Sequence, residues 1–229
     1  MMKKLLSVCL LAASSSPGWA QTQWSVKAGL QSSNITAIGR DKVEAQTAAV
    51  TGISLGLEAA IALSDHLALN PALVYARRGF KQDGSSSIGR GRDFNARSSY
   101  IELPVDVLFR PKIGPGRLLL GLGPYLGYGT GGRWSARGPV TIGDIRIDGK
   151  GPIAFQNDES VSNMDTYIYA RPWDYGAHFK IGYLLCDHYF LAFEIQSGIA
   201  DLQPRFGDYR PEGSVRNKSM DISIGYTFE

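Results

Sequence analysis

The feature that most constrains this chain is an alternation of side-chain type that recurs eight times along it. Near the start, Trp24, Val26, Ala28 and Leu30 interleave with Ser25, Lys27, Gly29 and Gln31. At the end, Met220, Ile222, Ile224, Tyr226 and Phe228 interleave with Ser219, Asp221, Ser223, Gly225 and Thr227. Successive side chains of an extended strand point to opposite faces, so a period of two reads as a strand with one apolar and one polar face. The same reading holds for Gly52 to Leu63, for the run from Leu67 through Leu73 to Ala76, and for Tyr100 to Phe109. It holds again for RLLLGLGPYLGYG from Arg117, for Trp173 to Tyr183, and for Leu191 to Ile199.

The connections sort by length. Those after the second, fourth and sixth strands are short (Ser64-Asp65-His66, PKIGPG and Cys186-Asp187-His188), whereas those after the first, third, fifth and seventh are long and polar. The longest runs from about Thr130 to Arg171, and another from Lys81 to Arg97. An even strand count with short turns at one end and long loops at the other is the layout of a bacterial outer-membrane barrel. The expected fold is therefore all-β: an eight-stranded antiparallel up-and-down transmembrane barrel with short periplasmic turns and long extracellular loops. Aromatic side chains are expected in two belts, with Trp24, Phe109, Tyr183, Tyr189, Tyr226 and Phe228 at the short-turn rim and Tyr75, Phe80, Tyr128, Tyr169 and Trp173 at the loop rim.

The N-terminus, MMKKLLSVCLLAASSSPGWA, has the basic start, apolar stretch and small-residue exit of a signal peptide. Residues 1–20 are expected to be removed, leaving residues 21–229 as one barrel domain exported to the outer membrane. Only Cys186 would then remain, so no internal disulfide framework holds the fold. Without Lys3 and Lys4 the formal charge of +3 falls to about +1, and no basic run suggests nucleic acid. After the signal no stretch of roughly 18 apolar residues appears, so the chain is not expected to cross a membrane by a helix.

With the apolar face toward lipid, the interior is expected to hold Lys27, Glu58, Glu102, Asp106, Arg117, Asp174, His178, Lys180, Glu194 and Asp221. Charges are costly in a dry core unless paired, and an eight-stranded barrel is just wide enough for side chains to fill it. A salt-bridged, water-containing network is the expectation, with Glu194 paired to His178 or Lys180 across the hairpin. Acids outnumber bases there, so a conducting path through this interior would prefer cations. A lipid A-modifying hydrolase would need a serine, a base and an acid near the lipid face. His178 and Glu194 point inward and Ser197 lies on the opposite phase, so no enzymatic activity is expected. No histidine has metal-ligand spacing, GDIRIDG has Asp144 and Asp148 but lacks the third acidic position and closing Glu of a calcium loop, and the glycines from Gly121 to Gly129 form no nucleotide fingerprint. No metal site or cofactor is expected.

Four segments carry a family likeness: YIELPVDVLFR with Tyr100, Glu102 and Pro104, LLLGLGPYLGYG after it, WDYGAHFKIGY with Asp174, Gly176 and Gly182, and the closing SIGYTF. Through them the chain resembles the PorT-like outer-membrane β-barrel proteins common in Bacteroidetes. The resemblance spans nearly all of residues 21–229 and implies an eight-stranded barrel inserted from the periplasm. It also implies that Tyr226 and Phe228 form the C-terminal signal read by the barrel insertion machinery, although here Glu229 follows Phe228. One member of that family is associated with protease secretion, a role no residue here carries by itself. The expected surroundings are outer-membrane lipid and lipopolysaccharide, and the expected partner is an extracellular or secretion-system protein met by the loops of a monomer. The alternatives are a small cation-preferring pore, a lipid A-modifying barrel enzyme and a soluble periplasmic barrel.

Overall fold

The computed structural model describes residues 22–85, 88–142, 144–158 and 166–228; residues 1–20, read as a signal peptide, and Glu229 lie outside them. Thirteen strands follow one another: β1 (Thr22–Ile38), β2 (Ala48–Ala62), β3 (Leu67–Ser85), β4 (Arg92–Phe109), β5 (Lys112–Ile113), β6 (Gly116–Ser135), β7 (Val140–Ile142), β8 (Ile145–Ile147), β9 (Lys150–Phe155), β10 (Tyr167–Ala170), β11 (Trp173–Leu185), β12 (Tyr189–Gly198) and β13 (Ser214–Thr227).

The eight long strands pair antiparallel in a ring, β1-β2-β3-β4-β6-β11-β12-β13, with β13 returning to β1. Closure runs from Ser25↔Thr227 to Ile38↔Ser214, and the Ser25 and Thr227 hydroxyls meet at 2.9 Å inside the seam. A closed ring satisfies its ladder groups without an edge, the condition for crossing hydrocarbon with strands. Alternation then decides which side meets what. Lys27, Glu58, Glu102, Asp174 and His178 are buried, while Leu30 (65% exposed), Leu122 (63%) and Ile224 (67%) stand on the outside with many other large apolar side chains. Water would make such an exterior unstable, whereas lipid solvates it.

The short turns follow local rules. Between β11 and β12, Cys186 (φ 49°) and Asp187 (φ 57°) both adopt left-handed backbone, and His188 N–H bonds to Leu185 O at 3.1 Å. That is the primed turn whose twist suits a hairpin. Between β2 and β3, the Ser64 hydroxyl accepts from Leu67 N–H at 3.1 Å. Between β4 and β6, β5 pairs Lys112↔Arg117 and Ile113↔Gly116.

At the other end the two longest expected loops contain much strand. β3 and β4 stay paired from Leu67↔Phe109 to Ser85↔Arg92, well into the segment read from sequence as a loop. The described residues of the Thr130–Arg171 segment likewise carry strands: β6 runs on to Ser135, β7 and β8 pair antiparallel, β9 adds to β6 through Gly132↔Ile153 to Ser135↔Lys150, and β10 lies parallel to β9. Outside the apolar band both faces of a strand can be polar, so amphipathic contrast fades while backbone pairing continues.

Two residues assigned to the loop-rim belt also move. Phe80 (1% exposed) and Tyr169 (7%) are inside, packed at a centroid distance of 5.8 Å in an aromatic core with Phe94, Trp134, Tyr100 and Phe155. Phe80 lies on the inward phase of β3, and Tyr169 sits on β10, which joins the ring only through β9. Tyr128 and Trp173 do face outward, edge to face at 4.9 Å. The interior is thus layered. A small apolar plug of Ala68, Leu108, Leu119, Leu184, Phe190 and Ala192 closes the short-turn end, polar groups fill the middle, and the aromatic core caps the loop end.

Candidate functional site

Two ion-pair clusters occupy the polar layer. In the one nearer the short turns, Lys27 of β1 donates to both Glu194 carboxyl oxygens at 2.6 Å and stands 2.9 Å from Glu58 of β2. Lys180 of β11 donates to the two Glu58 oxygens at 2.9 and 2.6 Å, and its ammonium lies 5.0 Å from the Phe190 ring of the plug. His178 meets Asp106 of β4 through Nδ1 at 2.8 Å and Glu194 through Nε2 at 3.4 Å. The register does place Lys180 opposite Glu194, but their 3.7 Å separation is longer than either residue's bond to a non-neighbouring strand. Long side chains reach across the barrel, so the closest partners are not the cross-strand ones.

The second cluster centres on Arg78. Its guanidinium lies 2.7 Å from Glu102 and 3.3 Å from Asp174, between the rings of Tyr100 (5.3 Å) and Tyr125 (5.5 Å). Asp174 also accepts from Tyr125 Oη at 3.1 Å and Asn217 Nδ2 at 3.0 Å. Arg78, Tyr125 and Asn217 were missed in the sequence. Extending the inward phase of β3 from Ala76 would have found Arg78, but it lies next to Arg77 and near the expected loop. Asp221 takes a hydroxyl bond from Ser54 at 2.6 Å instead of a cation. Gln31, Gln196 and Asp221 line a void of about 10 Å³, and each leaves a side-chain oxygen without a partner among the described residues. Such a void holds about one water molecule.

Arg117 is the exception among the expected interior residues. Its side chain is 32% exposed at the short-turn rim, where Nε lies 3.3 Å from Asp187, because Arg117 is the second residue of β6 and stands beside the turns. At the same rim Tyr226 packs edge to face with Tyr189 (5.3 Å) and Phe228 (5.2 Å), and Phe228 N–H bonds to Trp24 O at 2.7 Å.

The loop face carries a different set of residues that the sequence reading did not single out. Phe206 (60% exposed) and Tyr209 (61%) stand together on the β12–β13 loop, closed on each other by backbone bonds of 2.9 and 3.0 Å. Asp158, just after β9, pairs with Arg205 at 3.8 Å and ties this loop to the β9–β10 connection. Val43 and Ile145 add exposed apolar side chains at two other tips.

The chain is similar in structure to Ail of Yersinia pestis (13% identity, 90% of this chain and 98% of that one, TM-score 0.42). It is similar also to OprG of Pseudomonas aeruginosa (10%, 93% and 98%, TM-score 0.45) and to Neisserial surface protein A (13%, 90% and 97%, TM-score 0.42). No curated protein matches it in sequence. The ring of eight strands, its apolar exterior and its paired polar interior accord with the match of residues 13–203 to the outer membrane protein beta-barrel domain, and the chain belongs to that family and resides in the bacterial outer membrane.

Proposed function

We propose that this barrel is a non-enzymatic, monomeric binding protein that meets an extracellular or secretion-system partner with its loop face. The observation that carries the reading is the pair Phe206 and Tyr209, held exposed on a tip that backbone bonds and the Asp158–Arg205 pair fix to the rest of the loop sheet. Exposed aromatic side chains on a rigid support supply contact area at low ordering cost, which is how binding hot spots are built. The filled interior supports the same reading over a pore, because plugs close both ends and the enclosed voids near the polar layer are about 30 and 10 Å³. The inward Tyr100 and Glu102, with Pro104, are what would place the chain in the PorT-like branch of its family.

Photocrosslinking on intact cells tests the proposal, with a benzophenone amino acid at position 208, beside the two aromatics. A discrete protein adduct that disappears in the Phe206→Ala/Tyr209→Ala variant is expected. An adduct pattern unchanged by those substitutions would end the reading.

A further inference from the structure

Independently of the loop tips, we propose that Arg77, Arg97 and Arg133 form an outward-facing site for the phosphate groups of outer-leaflet glycolipid, the lipid A part of lipopolysaccharide. The three lie side by side on neighbouring strands. Arg97 and Arg133 are directly opposed across β4 and β6, while Arg77, opposite Ser99, is the diagonal neighbour of Arg97. All three side chains are exposed, and none makes an ion pair among the described residues. Like charges set directly opposite on a sheet are destabilising unless something neutralises them. Among the described residues no carboxylate does so.

Their height identifies the anion. Along the outer face of β3 the side chains run Leu67, Leu69, Pro71, Leu73, Tyr75, Arg77, and along β4 they run Phe109, Val107, Val105, Leu103, Ile101, Ser99, Arg97. The stretch from Leu67 to Tyr75 extends about 27 Å along the strand, or about 20 Å in height at the usual barrel tilt, and so covers most of an apolar band of about 25 Å. Tyr75 ends it as an interfacial aromatic, its hydroxyl 3.0 Å from Ser99 Oγ and 3.4 Å from Arg77 Nε. Arginine comes next, at headgroup level on the loop side, which is the outer leaflet.

The surface between the arginines is shaped for more than a point charge. A cleft of about 510 Å³ is lined by the three arginines at its upper side and by Leu30 and Ile53 below. A second hollow of about 810 Å³ shares Arg97 and Arg133 and adds Lys150. Gly52 and Gly132 leave the floor bare, and a Cβ on either of them, or on nearby Gly79, would run into the backbone of the adjacent strand. The β2–β3 ladder shifts register between Ala49↔Phe80 and Ser54↔Ala76, and Ser33 Oγ bonds to Gly79 N–H (2.8 Å) and O (3.3 Å) from inside. Guanidinium groups bind phosphate in bidentate fashion, and the apolar lower edge accommodates the start of an acyl chain.

The test titrates the full-length barrel, in neutral detergent, with bisphosphorylated lipid A, with lipid A stripped of both phosphates, with phosphatidylglycerol and with inorganic phosphate. Wild type is expected to bind bisphosphorylated lipid A at least tenfold more tightly than the stripped form or phosphatidylglycerol, with inorganic phosphate failing to compete. Arg77→Gln/Arg97→Gln/Arg133→Gln should lose that preference, while the triple lysine variant keeps part of it. Heat-dependent gel mobility, unchanged in both variants, shows that each still forms a barrel. Equal lipid A affinity in wild type and the glutamine variant would overturn the proposal. So would equal affinity for phosphatidylglycerol, which marks a merely anionic surface, or full competition by inorganic phosphate, which marks a simple ion site.

Discussion

Lys27 and Glu194 lie 167 residues apart on strands that are not neighbours, yet the Lys27 ammonium bonds to both Glu194 carboxyl oxygens at 2.6 Å. β13 separates the two strands in the wall, so the bond spans the interior. With Glu58, Lys180, His178 and Asp106, it ties together β1, β2, β4, β11 and β12 from within.

Removing one member should therefore cost more than removing two. Lys27→Met leaves Glu194 and Glu58 short of a buried cation and is expected to destabilise the barrel by about 3–5 kcal/mol. Lys27→Met/Glu194→Met should recover much of that loss. The temperature at which the heat-modifiable gel band converts measures both. A double variant no more stable than the single one would contradict the coupling.

Arg78 should be less replaceable than its position near the loops suggests. Arg78→Leu leaves Glu102 and Asp174 without their nearest cation and empties the space between Tyr100 and Tyr125. A loss of about 3–5 kcal/mol is expected in urea unfolding from detergent micelles. Arg78→Lys should restore only part, because lysine cannot contact both carboxyl groups through a planar fork.

Gly129 and Gly127 make a matched pair for testing the loop-end core. A Cβ at Gly129 runs into the Phe155 ring, whereas one at Gly127 meets Glu102 and Tyr100 at an ordinary 3.6 Å. Gly129→Val is expected to displace Phe155 and weaken packing by about 1–3 kcal/mol. Added protease should then cut intact cells within residues 136–158 in that variant and spare Gly127→Ala.

The closed interior predicts electrical silence. Wild-type barrel in a planar bilayer should show no sustained openings at moderate voltage, because the apolar plug and the aromatic core obstruct both ends. Steady single-channel steps would show that the plugs open, and their ion preference would be expected to favour cations, since Glu58, Glu102, Asp106, Asp174, Glu194 and Asp221 outnumber Lys27, Arg78, Lys180 and His178 in the polar layer.

Tyr226 and Phe228 should matter before folding as well as after it. Tyr226→Ala/Phe228→Ala removes two edge-to-face contacts at the short-turn rim, together with the aromatic tip that the family resemblance implies is read by the insertion machinery. Reduced barrel in the outer membrane, with periplasmic aggregate, is expected on fractionation; normal membrane levels would contradict an insertion role.

The wall of the barrel was legible in the sequence because a strand's alternation is a local property. Lys27, Glu58, Asp106, His178, Lys180 and Glu194 were assigned to the interior by phase alone, and all six are buried. Phase does not say which residues meet. Glu194 faces Lys180 in the register yet bonds most closely to Lys27, because partner choice depends on curvature and on how far each side chain reaches across the lumen. Phase also loses its marker where both sides of a strand can be polar, which hid Arg78, the inward Phe80 and the strands within the described residues of Thr130–Arg171. The sequence by itself determined the eight wall strands, their inward and outward faces within the apolar band and the end bearing short turns, since each follows from neighbours along the chain. Only the tertiary structure decided the ion-pair partners, the two plugs and the outward arginine triad, since these depend on strands brought together by ring closure from distant parts of the chain.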